Sequence, residues 1–145
     1  MAAEYSFVPT QTVDVDENVF FTNGNRAFRK GFIQHRDDSG IFFLRGSNAC
    51  RAVYRVTFTG NIAVAPADDG GVLEPISIAL TINGEELGNA TATVTPAAIG
   101  DFFNVSVTTF IEILCDCCVT VSVENASDTT AIDVSNANII FDRVA

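Results

Sequence analysis

Four cysteines are the residues of this sequence with the clearest potential for chemistry, and three of them are crowded into one short segment. Cys115, Cys117 and Cys118 form a C-x-C-C cluster, whereas Cys50 lies far upstream. The cluster does not match the paired C-x-x-C spacing of a typical zinc site. Two other states stay open: reduced thiols that pack as small apolar side chains, or a disulfide formed outside the reducing cytosol. Because no histidine is near in the sequence to generate a reactive thiolate, we expect structural rather than catalytic cysteines.

Other groups that could carry out catalysis are few. The single histidine, His35, lies between a glutamine and an arginine, which favours a solvent-facing strand position. No nucleophile elbow, phosphate-binding loop or dinucleotide-binding glycine pattern occurs. Three pairs of acidic residues fall in candidate turns, where acids are expected for reasons of hydration and turn chemistry: Asp37-Asp38, Asp68-Asp69 and Glu85-Glu86. The second pair lacks the regular ligand spacing of a calcium loop. We therefore predict no enzyme activity, no cofactor and no bound metal.

The composition indicates a single acidic globular domain. The chain has 145 residues, of which 48% are hydrophobic, and a formal net charge of −10. That charge repels nucleic acid and anionic membranes. Neither a secretory signal nor a membrane-spanning stretch is present, so we expect synthesis in the cytosol, with any export by lysis or a non-standard route. Seven of the eight basic residues lie between residues 26 and 55, where they either decorate exposed strands or dock an acidic partner or a neighbouring copy.

The elements that position these residues all have the pattern of β-strands. Residues 76–82 alternate apolar with small side chains, which is the period of a half-buried strand. Asn83-Gly84 follows, and this pair supplies the positive φ angles of a two-residue hairpin turn. Strands are predicted at residues 13–21, 31–36, 41–45, 51–64, 76–83, 90–95, 102–114, 119–124 and 132–144, the last with an interruption at 136–138. No segment has the period of a helix, so we predict an antiparallel all-β sandwich that hides its sheet edges.

The strand predicted at residues 102–114 carries aromatic side chains on both faces. One parity begins with Phe103 and continues with aliphatic residues, which is enough for a core face. Phe102 and Phe110 lie on the opposite parity among small polar residues. Aromatic side chains at such positions are typical of a subunit interface, since each removes about 150–250 Å² from water on association. The alternative is that a loop or the N-terminal segment covers Phe102 and Phe110 within one subunit.

The order of the strands and turns resembles that of a known family. It runs from YRVTFTG at residues 54–60 through ISIALTINGEEL at 76–87 and the strand at 102–113 to VTVSVEN at 119–125 and NANIIFDRV at 136–144. This order is similar to the tumour necrosis factor and complement-head jelly roll. It is more closely similar to the C-terminal heads of bacterial collagen-like surface proteins and to phage head-fibre or capsid-decoration proteins. The resemblance implies a jelly-roll sandwich of about ten strands and a tight homotrimer. No Gly-X-Y repeat is present, which favours a free-standing trimer.

The same resemblance implies a location for the cysteines. In that fold, the strand that starts just after Cys50 runs antiparallel beside the strand that ends near Leu114. Cys50 would then lie near Cys115 or Cys117 at one end of the sandwich. A disulfide within one chain or between subunits is allowed there, provided that the protein matures outside the reducing cytosol.

A structural role is the function that the resemblance implies. We expect residues 1–12, with Tyr5 and Phe7 near a chain end, to anchor the protein to a larger assembly, and residues 13–145 to form the jelly roll. The expected protein is a trimeric decoration or head-fibre subunit on the exterior of a bacteriophage capsid, made in the bacterial host cytoplasm. Its expected partners are its own copies and the major capsid protein or another shell or fibre protein. The alternatives are a display protein of a bacterial cell or spore surface and, from another class, a lectin-like module that binds surface glycans.

Overall fold

The chain folds into eleven β-strands among the residues that the structure describes. The computed structural model describes residues 2–22, 26–27, 32–36, 39–46, 51–67, 72–114 and 118–145. The strands are β1 (Ala2–Phe7), β2 (Gln11–Val13), β3 (Arg26–Ala27), β4 (Ile33–His35), β5 (Phe42–Arg45), β6 (Ala52–Val64), β7 (Ile76–Ile82), β8 (Glu85–Val94), β9 (Phe103–Ile113), β10 (Cys118–Asn125) and β11 (Ile132–Arg143). Within these ranges, no helix is long and apolar enough to cross a membrane.

The strands form two antiparallel sheets around one core. Sheet A has the order β3-β1-β11-β6-β9, with β2 also paired to β11, and sheet B has the order β4-β5-β10-β7-β8. Most neighbours in a sheet are distant in sequence, so the chain crosses repeatedly from one sheet to the other. This connectivity is that of a jelly roll. The prediction of an all-β antiparallel jelly roll of about ten strands is therefore confirmed.

The centre of the sandwich is built on β6 and the strands that face it. Inward and outward residues alternate along β6, so that Tyr54 and Phe58 point into the core and are completely buried. Phe42 of sheet B lies in an aromatic cluster, with its ring centroid 4.9 Å from that of Tyr5 and 4.9 Å from that of Phe141. Packed aromatic pairs of this kind contribute about 0.5–1.5 kcal/mol each beyond the area that they bury. Side chains from both sheets thus share one core.

The β7–β8 hairpin has the predicted turn. Asn83 and Gly84 have φ angles of 52° and 84°, which is the left-handed conformation that a two-residue hairpin turn requires. The sequence predicts a strand that starts at residue 90, but β8 begins directly after this turn, at Glu85. Its first part was missed because the pairing with β7 shifts in register beyond Thr81, which inserts extra residues into β8. These residues break the alternation from which a strand is recognised.

β11 is interrupted where the sequence predicts it. The register against β6 shifts between Ser135 and Asn138, and Asn136 has a positive φ of 53°. This is the geometry of a bulge, in which extra residues on one strand bend the ladder. Gly60 of β6 lies beside the bulge, where an added Cβ would come within 3.0 Å of the Phe58 ring and 3.7 Å of the Ala137 Cα. The backbone at Gly60 is therefore closely approached by its neighbours, and a larger residue there would crowd the Phe58 ring.

The first strand corrects the predicted domain boundary at residue 12. β1 pairs along its whole length with β11, with Tyr5 opposite Ile139. Ala3 and Tyr5 are 2% and 4% exposed and belong to the core. Phe7 is half-buried and packs edge-on against Phe20, with ring centroids 5.2 Å apart. The described residues 2–12 are thus part of the sandwich, and Tyr5 is not a surface anchor. Aromatic residues near a chain end complete the core here because β1 is a central strand of sheet A.

Residues 14–22 form a crossing segment rather than the strand predicted at residues 13–21. We call residues 14–22 the strap. β2 ends at Val13, after which the strap passes from sheet A to sheet B. The amide of Val19 donates to the carbonyl oxygen of Val123 in β10 at 2.7 Å. Val19 and Phe21 are completely buried, so the strap adds two apolar side chains to the core. The alternation of apolar residues in the strap, which predicts a strand, arises because Val19 and Phe21 are buried. The strap is not a strand of sheet B, since it pairs with β10 only through the isolated bridge between Asn18 and Glu124.

Candidate functional site

The outward side of sheet A presents regular rows of side chains across three strands. Residues that lie opposite one another on β9, β6 and β11 define these rows. The rows are Phe110–Arg55–Asp142, Thr108–Thr57–Ile140 and Ser106–Thr59–Asn138. Because alternate residues of a strand point to the same side, all three rows project away from the core. We call these rows the sheet A face.

Large apolar side chains on and beside this face are exposed. Phe110 is 64% exposed and Ile140 is 37% exposed. Phe102, which precedes β9, is 45% exposed. The alternative interpretation required that another segment of the same subunit covers Phe102 and Phe110. In the described part of the chain, neither side chain is covered in this way. Phe103, predicted to lie in the core, is 37% exposed because the buried alternation of β9 starts only at Val105.

Two pairs of opposite charges lie next to these apolar groups. Arg55 Nη2 lies 2.9 Å from Asp142 Oδ2, in the row that also holds Phe110. Arg51 Nε lies 3.0 Å from Glu112 Oε1 near the end of β9. Exposed pairs of this kind stabilise the fold by only about 0–1 kcal/mol each. Their main effect is to leave the sheet A face close to neutral, although the chain as a whole has a net charge of −10.

Hydrogen bonds between uncharged side chains link β9 to β6 between the charged and aromatic positions. Thr108 donates from its hydroxyl to Thr57 Oγ1 at 3.2 Å. The side-chain amide of Asn104 donates to Asn61 Oδ1 at 3.1 Å. Each such cross-strand pair contributes about 0.2–1 kcal/mol. The sheet A face is therefore close to neutral and partly apolar.

A second cluster lies on the outside of sheet B and has the opposite character. One carboxylate oxygen each of Asp16 in the strap, Glu86 in β8 and Glu124 in β10 lie within 4.8 Å of one another. We call these residues the carboxylate triad. Burial, and then the negative charges of Glu86 and Asp16, raise the pKa of Glu124 to about 7. Carboxylates are the ligands of hard cations, but exposed acidic clusters are common without one, so the triad alone does not establish a metal site.

Little in the sequence indicates this triad. Its members lie far apart at positions 16, 86 and 124, and of these only Glu86 belongs to a pair of acids in a candidate turn. The other two acidic pairs, Asp37-Asp38 and Asp68-Asp69, lie outside the described residues. Three distant residues meet because β7 holds β8 and β10 on its two sides, while the strap runs along β10.

A cleft of about 280 Å³ opens at the end of the sandwich where β6 finishes. Its walls are mostly apolar and come from residues 64–67, Val72 and the turn between β10 and β11. The polar groups in the wall are the hydroxyls of Thr129 and Thr130, and both donate to Glu74. These hydrogen bonds lower the pKa of Glu74. The polar groups of the cleft are thus engaged inside the protein rather than directed at a ligand.

Only one of the four candidate cysteines lies in the described part of the chain. Cys118 is the first residue of β10 and is exposed. Cys50, Cys115 and Cys117 lie outside the described residues. The strands that flank them are adjacent and antiparallel, since Ala52 at the start of β6 pairs with Ile113 at the end of β9. The strand arrangement on which the cysteine prediction depends is therefore present, and the proximity of the thiols themselves stays a prediction.

The predicted solvent-facing position of His35 is wrong, because its ring packs against aromatic side chains. Its ring stacks on Phe42, with centroids 4.7 Å apart and planes at 26°, and lies 5.1 Å from the ring of Tyr5. The Nε2–H group donates to the carbonyl oxygen of Ser39 at 2.7 Å. The histidine thus fastens the β4–β5 hairpin to the aromatic cluster of the core. A sequence pattern could not reveal this, because Tyr5 and Phe42 come from different strands.

Solved structures of two other proteins share this architecture over almost their whole length. The globular domain of zebrafish complement 1qA covers 99% of this chain and 94% of its own, with 10% identity and a TM-score of 0.59. Eiger TNF from S. frugiperda covers 100% of this chain and 92% of its own, with 13% identity and a TM-score of 0.64. The chain has the tumour necrosis factor and complement-head jelly-roll fold. No family model matches the sequence, and no curated protein matches it.

In this tumour necrosis factor-like jelly roll, the edges of the two sheets meet on one side. β9 ends sheet A and β8 ends sheet B. The side-chain amide of Asn89 in β8 donates to the Thr109 hydroxyl in β9 at 3.4 Å, which links the two edges. The sheet A face continues to this side of the molecule, since Phe110 belongs to β9. A partner on the sheet A face would therefore have access to a sheet edge as well.

Proposed function

We propose that this protein is a structural, non-enzymatic subunit that forms a homotrimer through the sheet A face. The observation that carries the proposal is the 64% exposure of Phe110 on a face whose charges are paired within the chain. An aromatic side chain this exposed is stabilised when a second copy removes it from water. Jelly rolls of the tumour necrosis factor and complement-head type usually self-associate as trimers.

The distribution of charge favours self-association through sheet A rather than through sheet B. Copies of a chain with a net charge of −10 repel one another wherever unpaired acids meet. The outside of sheet B carries the carboxylate triad, and two such clusters facing each other would be costly. On the sheet A face, Arg55 is already paired with Asp142, so the contact can be made by apolar and uncharged groups. This is the composition that the buried centre of an interface usually has.

The biological role that we propose is display on a larger particle, as a decoration or head-fibre subunit on the exterior of a bacteriophage capsid. The support for this role is the order of strands and turns, which resembles that of phage head-fibre and decoration proteins. A protein made in the bacterial cytoplasm and assembled onto the capsid fits the resemblance, with a display protein of a bacterial or spore surface as the alternative. Electron microscopy of native particles, with this subunit labelled by an antibody, distinguishes a capsid from a cell or spore surface.

Self-association is tested by light scattering on the purified chain. The expected mass is about three times the 15.5 kDa of one chain. Phe110→Asp is expected to give monomers at micromolar concentration, because an unpaired charge buried in an interface is strongly unfavourable. The matched control is Val72→Asp, at an apolar residue that is 66% exposed and lies in the wall of the cleft at the end of β6, outside the rows of the sheet A face. This control is expected to leave the trimer intact.

Two results would contradict a trimer formed through the sheet A face. The first is a monomeric wild-type chain at micromolar concentration. The second is a trimer that survives Phe110→Asp while Val72→Asp disrupts it, which would place the contact elsewhere. Circular dichroism of each variant is needed alongside, so that dissociation is distinguished from unfolding.

A glycan-binding function is the second candidate, because exposed aromatic rings lie beside side-chain amides. Phe102 and Phe103 are 45% and 37% exposed, and Asn104 and Asn61 follow on the adjoining strands. Aromatic rings pack on the faces of sugar rings, while amides fix their hydroxyl groups. Calorimetric titration with polysaccharides of bacterial surfaces tests this function. Binding by a monomeric chain that is lost in Phe102→Ala would favour the lectin over the trimer.

A further inference from the structure

The strap is held to both sheets through backbone hydrogen bonds. On the side of sheet A, the side-chain amide of Gln11 donates to the carbonyl oxygen of Phe20 at 2.9 Å and accepts from the Phe20 amide at 2.8 Å. On the side of sheet B, the amides of Asp16 and Val19 donate to β10 at 3.0 Å and 2.7 Å. Between these attachments, the side chain of Val19 enters the core. Release of the strap from sheet B would therefore open the core without breaking a sheet.

The carboxylate triad lies where the strap meets sheet B. Three elements are packed around Glu124, and the strap and β8 each contribute one titratable group facing it, Asp16 and Glu86. The third element, β7, places Ala79 directly opposite Glu124. Neither of the ion pairs found in the described residues includes a member of the triad. The three carboxyl groups therefore face one another without an ion-pair partner among the described residues.

We propose that the carboxylate triad is a proton-operated latch, which holds the strap on sheet B while Glu124 is protonated and loosens it when Glu124 is ionised beside Asp16 and Glu86. The protonated carboxyl of Glu124 donates a hydrogen bond to Asp16 or Glu86 and so joins β10 to the strap or to β8. The ionised group accepts only, and three like charges within 4.8 Å repel one another. This latch is independent of trimer formation.

The pH at which the latch acts follows from the environment of Glu124. Burial and the charges of Glu86 and Asp16 raise its pKa to about 7. The proton is therefore bound in mildly acidic solution and lost as the pH rises through neutrality. The repulsion is transmitted to Asp16, whose backbone has a strained φ of 64° and whose amide donates to Asn125. The strap is thus expected to loosen on the alkaline side.

Hydrogen exchange of single amides, measured by NMR between pH 6 and 8.5 with a chelator present, tests the latch. Protection is expressed relative to the exchange rate of an unstructured peptide at each pH. We expect the amide of Val19 to lose protection about tenfold across this range, while the amide of Phe58 in the core of sheet A does not. In Glu124→Gln, Val19 is expected to stay protected at pH 8.5, because the glutamine amide donates without titrating.

The control variant is Glu85→Gln, which removes a charge from the same hairpin outside the triad. It is expected to leave the pH dependence of Val19 unchanged. Asp16→Asn removes the charge from the strap itself and is expected to behave like Glu124→Gln, so it decides the matter if Glu124→Gln fails to fold. The latch is overturned if Val19 protection does not depend on pH in the wild type. It is also overturned if Phe58 loses protection equally, or if Glu85→Gln has the effect of Glu124→Gln.

Discussion

The side chain of Asn125 donates a hydrogen bond to the carbonyl oxygen of Val13 at 3.0 Å, which connects the end of β10 in sheet B to the end of β2 in sheet A. Asn125 is completely buried. Its amide also donates to the carbonyl oxygen of Thr130 at 3.0 Å, and its Oδ1 accepts from the amide of Ser127 at 3.0 Å. One side chain thus joins both sheets and the turn between β10 and β11 at the point where the strap begins.

Asn125→Ala is expected to destabilise the protein by about 2–4 kcal/mol, because it leaves one buried and one part-buried carbonyl oxygen and one buried amide without their partner. Urea denaturation followed by circular dichroism measures the loss. The control is Asn18→Ala, at an exposed asparagine of the strap, which is expected to change stability by at most about 0.5 kcal/mol. A similar loss in both variants would mean that the Asn125 network is not a specific support of the fold.

Deletion of residues 1–7 is expected to prevent folding, because it removes β1 from between β3 and β11 and leaves residues 137–142 of β11 unpaired on that side. Tyr5→Ala alone is expected to cost about 3–5 kcal/mol, as for other large buried side chains. Glu4→Ala, on the outward side of the same strand, is the control and is expected to have a much smaller effect. If the truncated chain melts at the wild-type temperature, the first residues are an appendage after all.

Glu124→Gln is expected to stabilise the folded chain above pH 7 and to change little near pH 4.5. An acid whose pKa rises from 4.5 to about 7 on folding binds its proton more tightly in the folded state. Wild-type stability therefore falls as the pH rises through that range, whereas the glutamine does not titrate. We expect a difference of about 1–2 kcal/mol at pH 8, reduced by solvent screening at this half-buried group. Urea midpoints at pH 4.5, 6 and 8 measure it, and a difference that does not grow with pH would contradict the assigned pKa.

Cys50→Ser is expected to lower the melting temperature under oxidising conditions and to change little in excess reductant. The strands next to Cys50 and Cys115 are paired neighbours, with Ala52 opposite Ile113. A disulfide that closes so long a loop contributes about 4 kcal/mol in the chain-entropy description, less any strain. Thermal melts with and without reductant provide the comparison, and Cys118→Ser serves as a second variant. Stoichiometric zinc in elemental analysis would contradict a disulfide and indicate a metal site instead.

Much of the scaffold was predictable from local patterns in the sequence. The alternation along β6, β7 and β9 and the Asn83-Gly84 turn depend on residues that are close together in the chain. Period-two burial and a left-handed turn are properties of a single strand or hairpin, so a sequence reveals them without knowledge of their neighbours. The outward position of Phe110 followed from the same parity. The order of such elements along the chain also indicated the jelly roll.

The tertiary structure alone decided which distant residues meet. Tyr5 belongs to the core and not to an anchor because β1 lies between β3 and β11. His35 is held among aromatic rings because sheet B faces sheet A at that point. The triad of Asp16, Glu86 and Glu124 exists because the strap, β8 and β10 converge. Such contacts depend on sheet order and register, which are set by packing the whole core, and no short stretch of sequence encodes them.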